Sequence, residues 1–275
     1  SDVCSSDLDL VGPFIGPVMG DLDGDGIPEL VAVSWASDSG YGSGRILVFD
    51  GRTRNLRAIS NGVADGVYSW TGVHDIKLRD VDGDHRPEIV IATDYLYDGL
   101  IEAYKFNASN QFSRVWRNAT RPFGAPFYSV EVADVDADGK PDVLGGVGWA
   151  HSGSAGYFIY AYDNAAGAEK WHTLQTGGTI ADLVIGDYNG DGKPEIVGQV
   201  WGTGLYVFDG LSQLLAIETL PSTTLSSTTT CRSCPRRCTS PRSRPTPSCT
   251  STGGSPRPTT SSSASRGRGC SSTTT

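Results

Sequence analysis

Four copies of one nine-residue acidic loop hold the side chains best suited to chemistry in this sequence. They read Asp21-Leu-Asp23-Gly-Asp25-Gly-Ile27-Pro-Glu29, Asp80-Val-Asp82-Gly-Asp84-His-Arg86-Pro-Glu88, Asp134-Val-Asp136-Ala-Asp138-Gly-Lys140-Pro-Asp142 and Asp187-Tyr-Asn189-Gly-Asp191-Gly-Lys193-Pro-Glu195. Oxygen-bearing side chains stand at positions 1, 3, 5 and 9 of every copy. Two carboxylates about 4 Å apart repel by roughly 4 kcal/mol at an effective dielectric constant of 20. A bound hard cation removes that cost, and Ca²⁺ accepts six to eight oxygens in this kind of cage. The expectation is up to four Ca²⁺, each held by side chains 1, 3, 5 and 9 and by the backbone carbonyl at position 7, which belongs to Ile27, Arg86, Lys140 or Lys193.

Asp, Asn and Gly also crowd ordinary turns, for reasons unconnected with metal. Four copies that keep four oxygen positions argue against plain turns. The first half of each loop looks like an EF-hand, but the second half does not. An EF-hand needs a bidentate Glu at position 12, followed by a helix. Position 12 here is Ala32, Ile91, Gly145 or Gly198, none of which ligates through its side chain. Repeat two has His85 where Gly would adopt a positive φ at little cost. Repeat three has Ala137 at position 4, and repeat four a neutral Asn189. Repeat two is therefore the expected weak site.

The elements that position these loops follow from the period. The first Asp recurs after 59, 54 and 53 residues, a spacing typical of solenoids, propellers and arrays. β-Branched runs follow each loop: Leu30–Val33, Ile89–Ala92, Val143–Leu144 and Ile196–Val197. Such density reads as strand. Each repeat has room for four strand-like segments. In the third these are Phe127–Val132, Asp142–Val147, Tyr157–Tyr162 and Glu169–Thr173, with a Gly/Ser-rich turn at His151–Gly156. No helical period is sustained. The fold class is all-β: a partial β-propeller of about four four-stranded blades, over about residues 10–70, 71–125, 126–178 and 179–220.

The loop, the period and the strand count together resemble the FG-GAP/VCBS repeat proteins, the integrin-α-like calcium propellers, over about residues 10–220. The resemblance implies a secreted or cell-surface protein of seven or so blades. It also implies calcium in the strand 1–2 loops and ligands on the opposite face. Four blades would leave two unprotected sheet edges, so further blades are expected outside this chain.

Both ends differ in style from the repeats. Residues 221–275 contain no Asp, Glu, Lys, aromatic, Val or Ile, while 29 of the 55 are Ser or Thr and eight are Arg. Two readings fit: a disordered Ser/Thr/Pro stalk, or an out-of-frame translation of GC-rich DNA, which is favoured because Arg occurs without Lys. Residues 1–9 read as a non-native leader, since Ser1–Leu8 resembles a translated sequencing adapter. The chain is then expected to be a metagenomic fragment, with no membrane span or signal peptide visible in it. Cys231, Cys234, Cys238, Cys249 and Cys270 lie in the tail and Cys4 in the leader, so the repeats have no cysteine. The spacing Cys231-x-x-Cys234-x-x-x-Cys238 in so structureless a setting is read as coincidence rather than zinc. Before residue 221, 31 acids against 14 bases leave a net charge of −17. That balance speaks against nucleic-acid binding, which needs a basic face.

An aromatic ends the second strand of every repeat: Trp35, Tyr95, Trp149 and Trp201, each 14 or 15 residues past its first Asp. One strand separates it from the acidic loop, so it belongs at the opposite end of the blade, near turns carrying Tyr41 and Tyr97. Rings beside polar loops suit recognition of a glycan or a protein side chain. Packing between blades would recur with the same regularity, and both readings stand. Catalysis has thin support. His74 and His151 belong to loops on that same end, and calcium propellers of the rhamnogalacturonan-lyase kind offer an enzymatic alternative. No nucleophile triad, phosphate loop or HExxH is present. The primary expectation is a non-catalytic, calcium-binding module for adhesion or for carbohydrate or protein binding, outside the cell or on its surface.

Overall fold

Among the described residues, sixteen strands in four antiparallel meanders account for nearly all the regular structure. The computed structural model describes residues 11–36, 44–67, 72–151, 153–154 and 156–219. The expectations for residues 1–9, the tail at 221–275, the six cysteines and Tyr41 lie outside these residues. Blade one comprises β1 (Val11–Gly20), β2 (Glu29–Ala36), β3 (Ile46–Phe49) and β4 (Leu56–Ile59). Blade two comprises β5 (Asp75–Arg79), β6 (Glu88–Tyr95), β7 (Asp98–Phe106) and β8 (Phe112–Arg117). Blade three comprises β9 (Phe127–Ala133), β10 (Asp142–Val147), β11 (Ile159–Asp163) and β12 (Glu169–His172). Blade four comprises β13 (Ile180–Gly186), β14 (Glu195–Val200), β15 (Gly204–Phe208) and β16 (Leu214–Glu218). Within each sheet the spatial order equals the chain order. The third strand of repeat three begins at Ile159 rather than at the expected Tyr157.

The first strands of successive blades pack in series: β1 on β5, β5 on β9 and β9 on β13. That is the inner wall of a propeller. Among the described residues β13 makes no comparable packing with β1, so the four blades form an open arc.

The apolar runs are continuous rather than alternating because the middle strands bury both faces. Val143 and Val147 of β10 join a core shared with Val90, Ile101 and Ala103 of blade two. Leu144, between them, joins a core with Ile180 and Ile196 of blade four. A third core links Val31 and Val48 of blade one to Ile89 and Ile91 of blade two. Space is tight enough that a Cβ on Gly145 would lie 2.7 Å from Ile101 Cδ1 and 2.8 Å from the Phe127 ring.

These cores also seat the acidic loops. Leu22, Val81 and Val135, at loop position 2, are each buried in the core shared with the following blade. Tyr188 holds the same position in loop four, where no fifth blade is described, and is 56% exposed. Adjacent blades add polar contacts: Asn164 Nδ2 donates to Val81 O at 3.1 Å, and Arg57 Nε to Asn110 Oδ1 at 2.9 Å.

The inner wall holds a charged network that makes stability depend on pH. Asp75 of β5 accepts from Val130 N–H of β9 at 3.0 Å, bridging blades two and three. Lys77 Nζ lies 3.7 Å from Asp75, 3.7 Å from Glu131 and 3.6 Å from Asp182. Burial pushes the Asp75 carboxyl up to about 6; Asp182 adds to this, while Val130 N–H, Lys77 and Ile76 N–H oppose it. The folded value exceeds the unfolded one of about 3.9, so ionised Asp75 destabilises the fold. Its protonation should therefore add stability as pH falls from about 7 to about 4, by about 3 kcal/mol. The stability difference between wild type and Asp75→Asn, from denaturant melts across pH 4–7, should slope accordingly. A constant difference would refute the assignment.

Candidate metal centres

The four acidic loops join the first strand of each blade to the second and lie together at one end of the arc. Their backbone follows one path. Positions 4 and 6 have positive φ in every copy: Gly24 and Gly26, Gly83 and His85, Ala137 and Gly139, Gly190 and Gly192. His85 at φ 67° and Ala137 at φ 61° adopt the left-handed conformation although they carry a Cβ, at about 1 kcal/mol each. The path is held because the position-1 carboxylate accepts backbone N–H groups from both sides of the turn. Asp21 accepts from Gly24 at 2.7 Å and Gly26 at 2.9 Å; Asp80 accepts from Gly83 at 2.6 Å and His85 at 2.8 Å. Asp134 and Asp187 accept from the matching N–H groups of Gly139 and Gly192. The N–H of position 7, on Ile27, Arg86, Lys140 or Lys193, donates to the position-5 carboxylate of Asp25, Asp84, Asp138 or Asp191 at 2.8–2.9 Å. Across the loop, the position-9 acid accepts from the N–H of position 2: Glu29 from Leu22, Glu88 from Val81, Asp142 from Val135 and Glu195 from Tyr188.

Carboxylate oxygens of positions 1, 3 and 9 converge within 4.8 Å in three loops: Asp21, Asp23 and Glu29; Asp80, Asp82 and Glu88; Asp134, Asp136 and Asp142. Position 5 stands outside these triads. Loop four differs, because its Asn189 amide donates to Asp191 Oδ2 at 3.2 Å and Glu195 Oε1 at 3.0 Å. The position-9 acids are the buried members of the cages. Burial pushes Glu88 up to about 7, with Asp82 and Asp84 adding to the rise and Val81 N–H and Lys105 opposing it. Burial likewise raises Glu29 and Asp142. Glu88 is fully buried and its Oε1 accepts no hydrogen bond. A buried carboxylate oxygen without a donor, facing two further carboxylates, suits a cation ligand. The oxygen-only donor set matches a hard cation such as calcium rather than a soft metal.

One feature of these cages has no local sequence signal. A basic side chain from the third or fourth strand of the same blade reaches into loops one to three. Arg57 bonds Asp23 and Glu29, both at 2.8 Å. Lys105 sits 2.6 Å from both Asp82 and Asp84, and 3.8 Å from Glu88 Oε1. Lys170 sits 2.6 Å from Asp136 and 2.7 Å from Asp142. Lys105 holds the Asp84 carboxyl below its usual range, and Lys170 does the same for Asp136.

The strand-end aromatics lie at the other end of the blades and are not equivalent. Trp149 is 63% and Trp201 56% exposed. Tyr95 is half-buried, with the Arg121 guanidinium 4.1 Å over its ring. Trp35 is half-buried against the loop before β5, where its carbonyl accepts from Val73 N–H at 3.2 Å. Phe123 in the loop joining blades two and three, also on this end, is 72% exposed. Sequence reading missed Phe123, which follows no repeat pattern. His74 stacks on Tyr128 at 3.7 Å between ring centroids, and His151 lies against Tyr97 at 4.6 Å. No helix among the described residues is long and apolar enough to cross a membrane.

A family model described as FG-GAP-like repeat matches residues 21–91 and 80–145. Each match starts on the first acid of a loop and runs through the next one. No curated protein matches the chain. Among solved structures, BBS1N in complex with ARL6DN, soaked with mercury, is similar at a TM-score of 0.51 and 14% identity, over 77% of this chain and 59% of that one. Its lead-soaked counterpart gives 0.50 and 13% over the same shares. The chain thus spans about 59% of the length of these structures. The Dos1 propeller is similar at 0.46 and 11% identity, over 74% of this chain and 48% of that one.

Proposed function

This chain is an FG-GAP-repeat β-propeller protein, and from that premise we propose that it is a non-catalytic, calcium-stabilised binding module. The observation that carries the reading is the convergence of three carboxylates in each of loops one to three, with the buried Glu88 Oε1 lacking a hydrogen-bond donor. The side chains at positions 1, 3 and 9 would hold the ion, with the position-5 acids and the position-7 carbonyls of Ile27, Arg86, Lys140 and Lys193 as further candidates. In loop four the candidates are Asp187, Asn189, Asp191 and Glu195. Calcium in these loops would neutralise clustered charge and cross-link the turn. The chain's own residues do the rest: Leu22, Val81 and Val135 transmit a rigid loop to the next blade by packing into its core.

The exposed rings of Trp149 and Trp201, together with Phe123, support ligand binding at the opposite end. A glycan or a protein surface suits them, in adhesion or carbohydrate recognition. The similar propeller BBS1N was crystallised in complex with a second protein, which favours the protein option. Calcium sites with dissociation constants of about 10⁻⁴–10⁻³ M would suit a protein outside the cell or on its surface, the location we propose. A lyase would need a base and a cation converging on one substrate carboxylate. His74 and His151 are instead packed on separate tyrosine rings, so we adopt the binding reading.

Titration of Ca²⁺ into chelator-stripped protein, followed by isothermal calorimetry, tests it. Up to four equivalents should bind with dissociation constants of about 10⁻⁴–10⁻³ M, the range of extracellular modules. No binding heat, together with no calcium in the purified protein, would overturn the reading.

A further inference from the structure

We propose that Arg57, Lys105 and Lys170 are built-in counter-ions, which stand in for a metal's charge in the metal-free protein and are displaced when calcium enters. The proposal rests on the calcium reading above and adds which residues set the affinity of each site.

The geometry carries it in three steps. First, each of these side chains bonds position 3 of its loop and lies within 4 Å of position 9. Arg57 bonds positions 3 and 9, Lys170 bonds positions 3 and 9, and Lys105 bonds positions 3 and 5 with position 9 at 3.8 Å. Positions 3 and 9 are members of the converging carboxylate triads. A divalent ion and an ammonium or guanidinium therefore compete for the same oxygens. Second, the charges balance across the four loops. Loops one to three each have four acids and one reaching base. Loop four has three acids, a neutral Asn189 and no reaching base among the described residues, so the four oxygen positions with any reaching base come to −3 in every loop, and Arg86, Lys140 and Lys193 at position 7 bring loops two to four as wholes to −2. In loop four, Asn189 Nδ2 does the bridging, from within the loop, to Glu195 at 3.0 Å. All four position-9 acids thus have a nitrogen facing them.

Third, a specific backbone feature delivers two of the bases. The fourth strand of every blade has a bulge at the same register, one residue unpaired between two ladder partners. That residue is Arg57 in blade one, Val115 in blade two, Lys170 in blade three and Leu215 in blade four. A bulge re-aims the side chain it carries. Where the bulge residue is basic, it enters the acidic loop. Blade two has Val115 there, and its counter-ion comes instead from Lys105 of β7, next along the strand from Tyr104, the partner of Ile89. The bulge thus accepts Val and Leu without loss of the fold, which makes Lys170 the residue to test.

Lys170→Leu copies the residue that blade four carries at the same bulge. In excess EDTA the variant should melt several degrees below wild type, because Asp136 and Asp142 lose their partner. Its site-three affinity for Ca²⁺, measured by calorimetry with the metal alone, should rise by about tenfold, since a like charge next to the ion is gone. At saturating Ca²⁺ the two melts should converge. The reverse change, Leu215→Lys, installs a counter-ion in loop four. It should raise the EDTA melt and weaken calcium binding there. If wild type binds calcium but Lys170→Leu binds it equally or more weakly, the exchange is overturned and the calcium reading stands. If neither protein takes up calcium, the calcium reading itself fails and the exchange with it.

Discussion

In 10 mM calcium the protein should melt more than about 10 °C above its melting point in excess EDTA. A ligand that binds only the folded state stabilises it by RT ln(1 + [L]/Kd). With dissociation constants of about 10⁻⁴–10⁻³ M, each site contributes roughly 1.4–2.7 kcal/mol at that concentration. Four sites give about 6–11 kcal/mol, and a domain of this size shifts about 2–4 °C per kcal/mol. The same arithmetic predicts the single variants. Asp23→Ala or Asp136→Ala should remove one site's share in calcium. In EDTA the loss should be smaller, because deleting a carboxylate also relieves repulsion within its cage. Differential scanning calorimetry at both conditions reads this directly. A melt indifferent to calcium and to EDTA would rule out the metal-stabilised fold.

Replacing Glu102 with Leu should cost about 3–5 kcal/mol, the usual penalty for breaking a buried ion pair from one side. Glu102 is fully buried on β7, between the buried Ile101 and Ala103. Its Oε1 accepts from Arg117 Nε at 2.9 Å and Arg114 Nη1 at 3.0 Å, and Arg117 Nη2 also bonds it. Its Oε2 accepts from Tyr104 OH and Ala64 N–H, both at 2.7 Å. Arg117 holds Asp65 as well at 2.8 Å, and Arg114 bonds the same carboxylate. The network ties the loop after blade one to the outer strands of blade two. Ala64 and Asp65 both have positive φ in that loop, a strained path that the Glu102 bonds fix in place. The expected fall in melting temperature is about 6–20 °C, equal in calcium and in EDTA. Glu102→Gln, which keeps the acceptor for Ala64 N–H, should lose less. A shift under about 2 °C for Glu102→Leu would show that the network adds nothing net.

The division between what was legible in the chain and what was not follows contact distance along the sequence. The acidic loops are contiguous, so Asp21 to Glu29 and its three counterparts declare themselves by residue type and spacing alone. The strands declare themselves as well, because a middle strand with two buried faces, such as β10, must be apolar throughout. Period and strand count then fix four-stranded blades. The equivalence of the four aromatic strand ends was also readable, but not their exposure. Trp149 and Trp201 face solvent while Arg121 covers Tyr95, and Arg121 lies in an irregular loop that no repeat pattern describes.

The reaching bases were invisible for a different reason. Arg57 lies 34 residues from Asp23, and Lys170 lies 34 residues from Asp136. A one-residue bulge in strand pairing aims each of them, and moving that bulge by one residue would turn the side chain to the other face of the sheet. Glu102 was hidden in the same way, since its partners come from Ala64 and Arg117 on separate elements. Sequence alone therefore determined where the acids cluster along the chain and in what kind of sheet they sit. The pairing register, which exists only once the strands have met, decided which positive charges enter those cages and which acids are buried beside them.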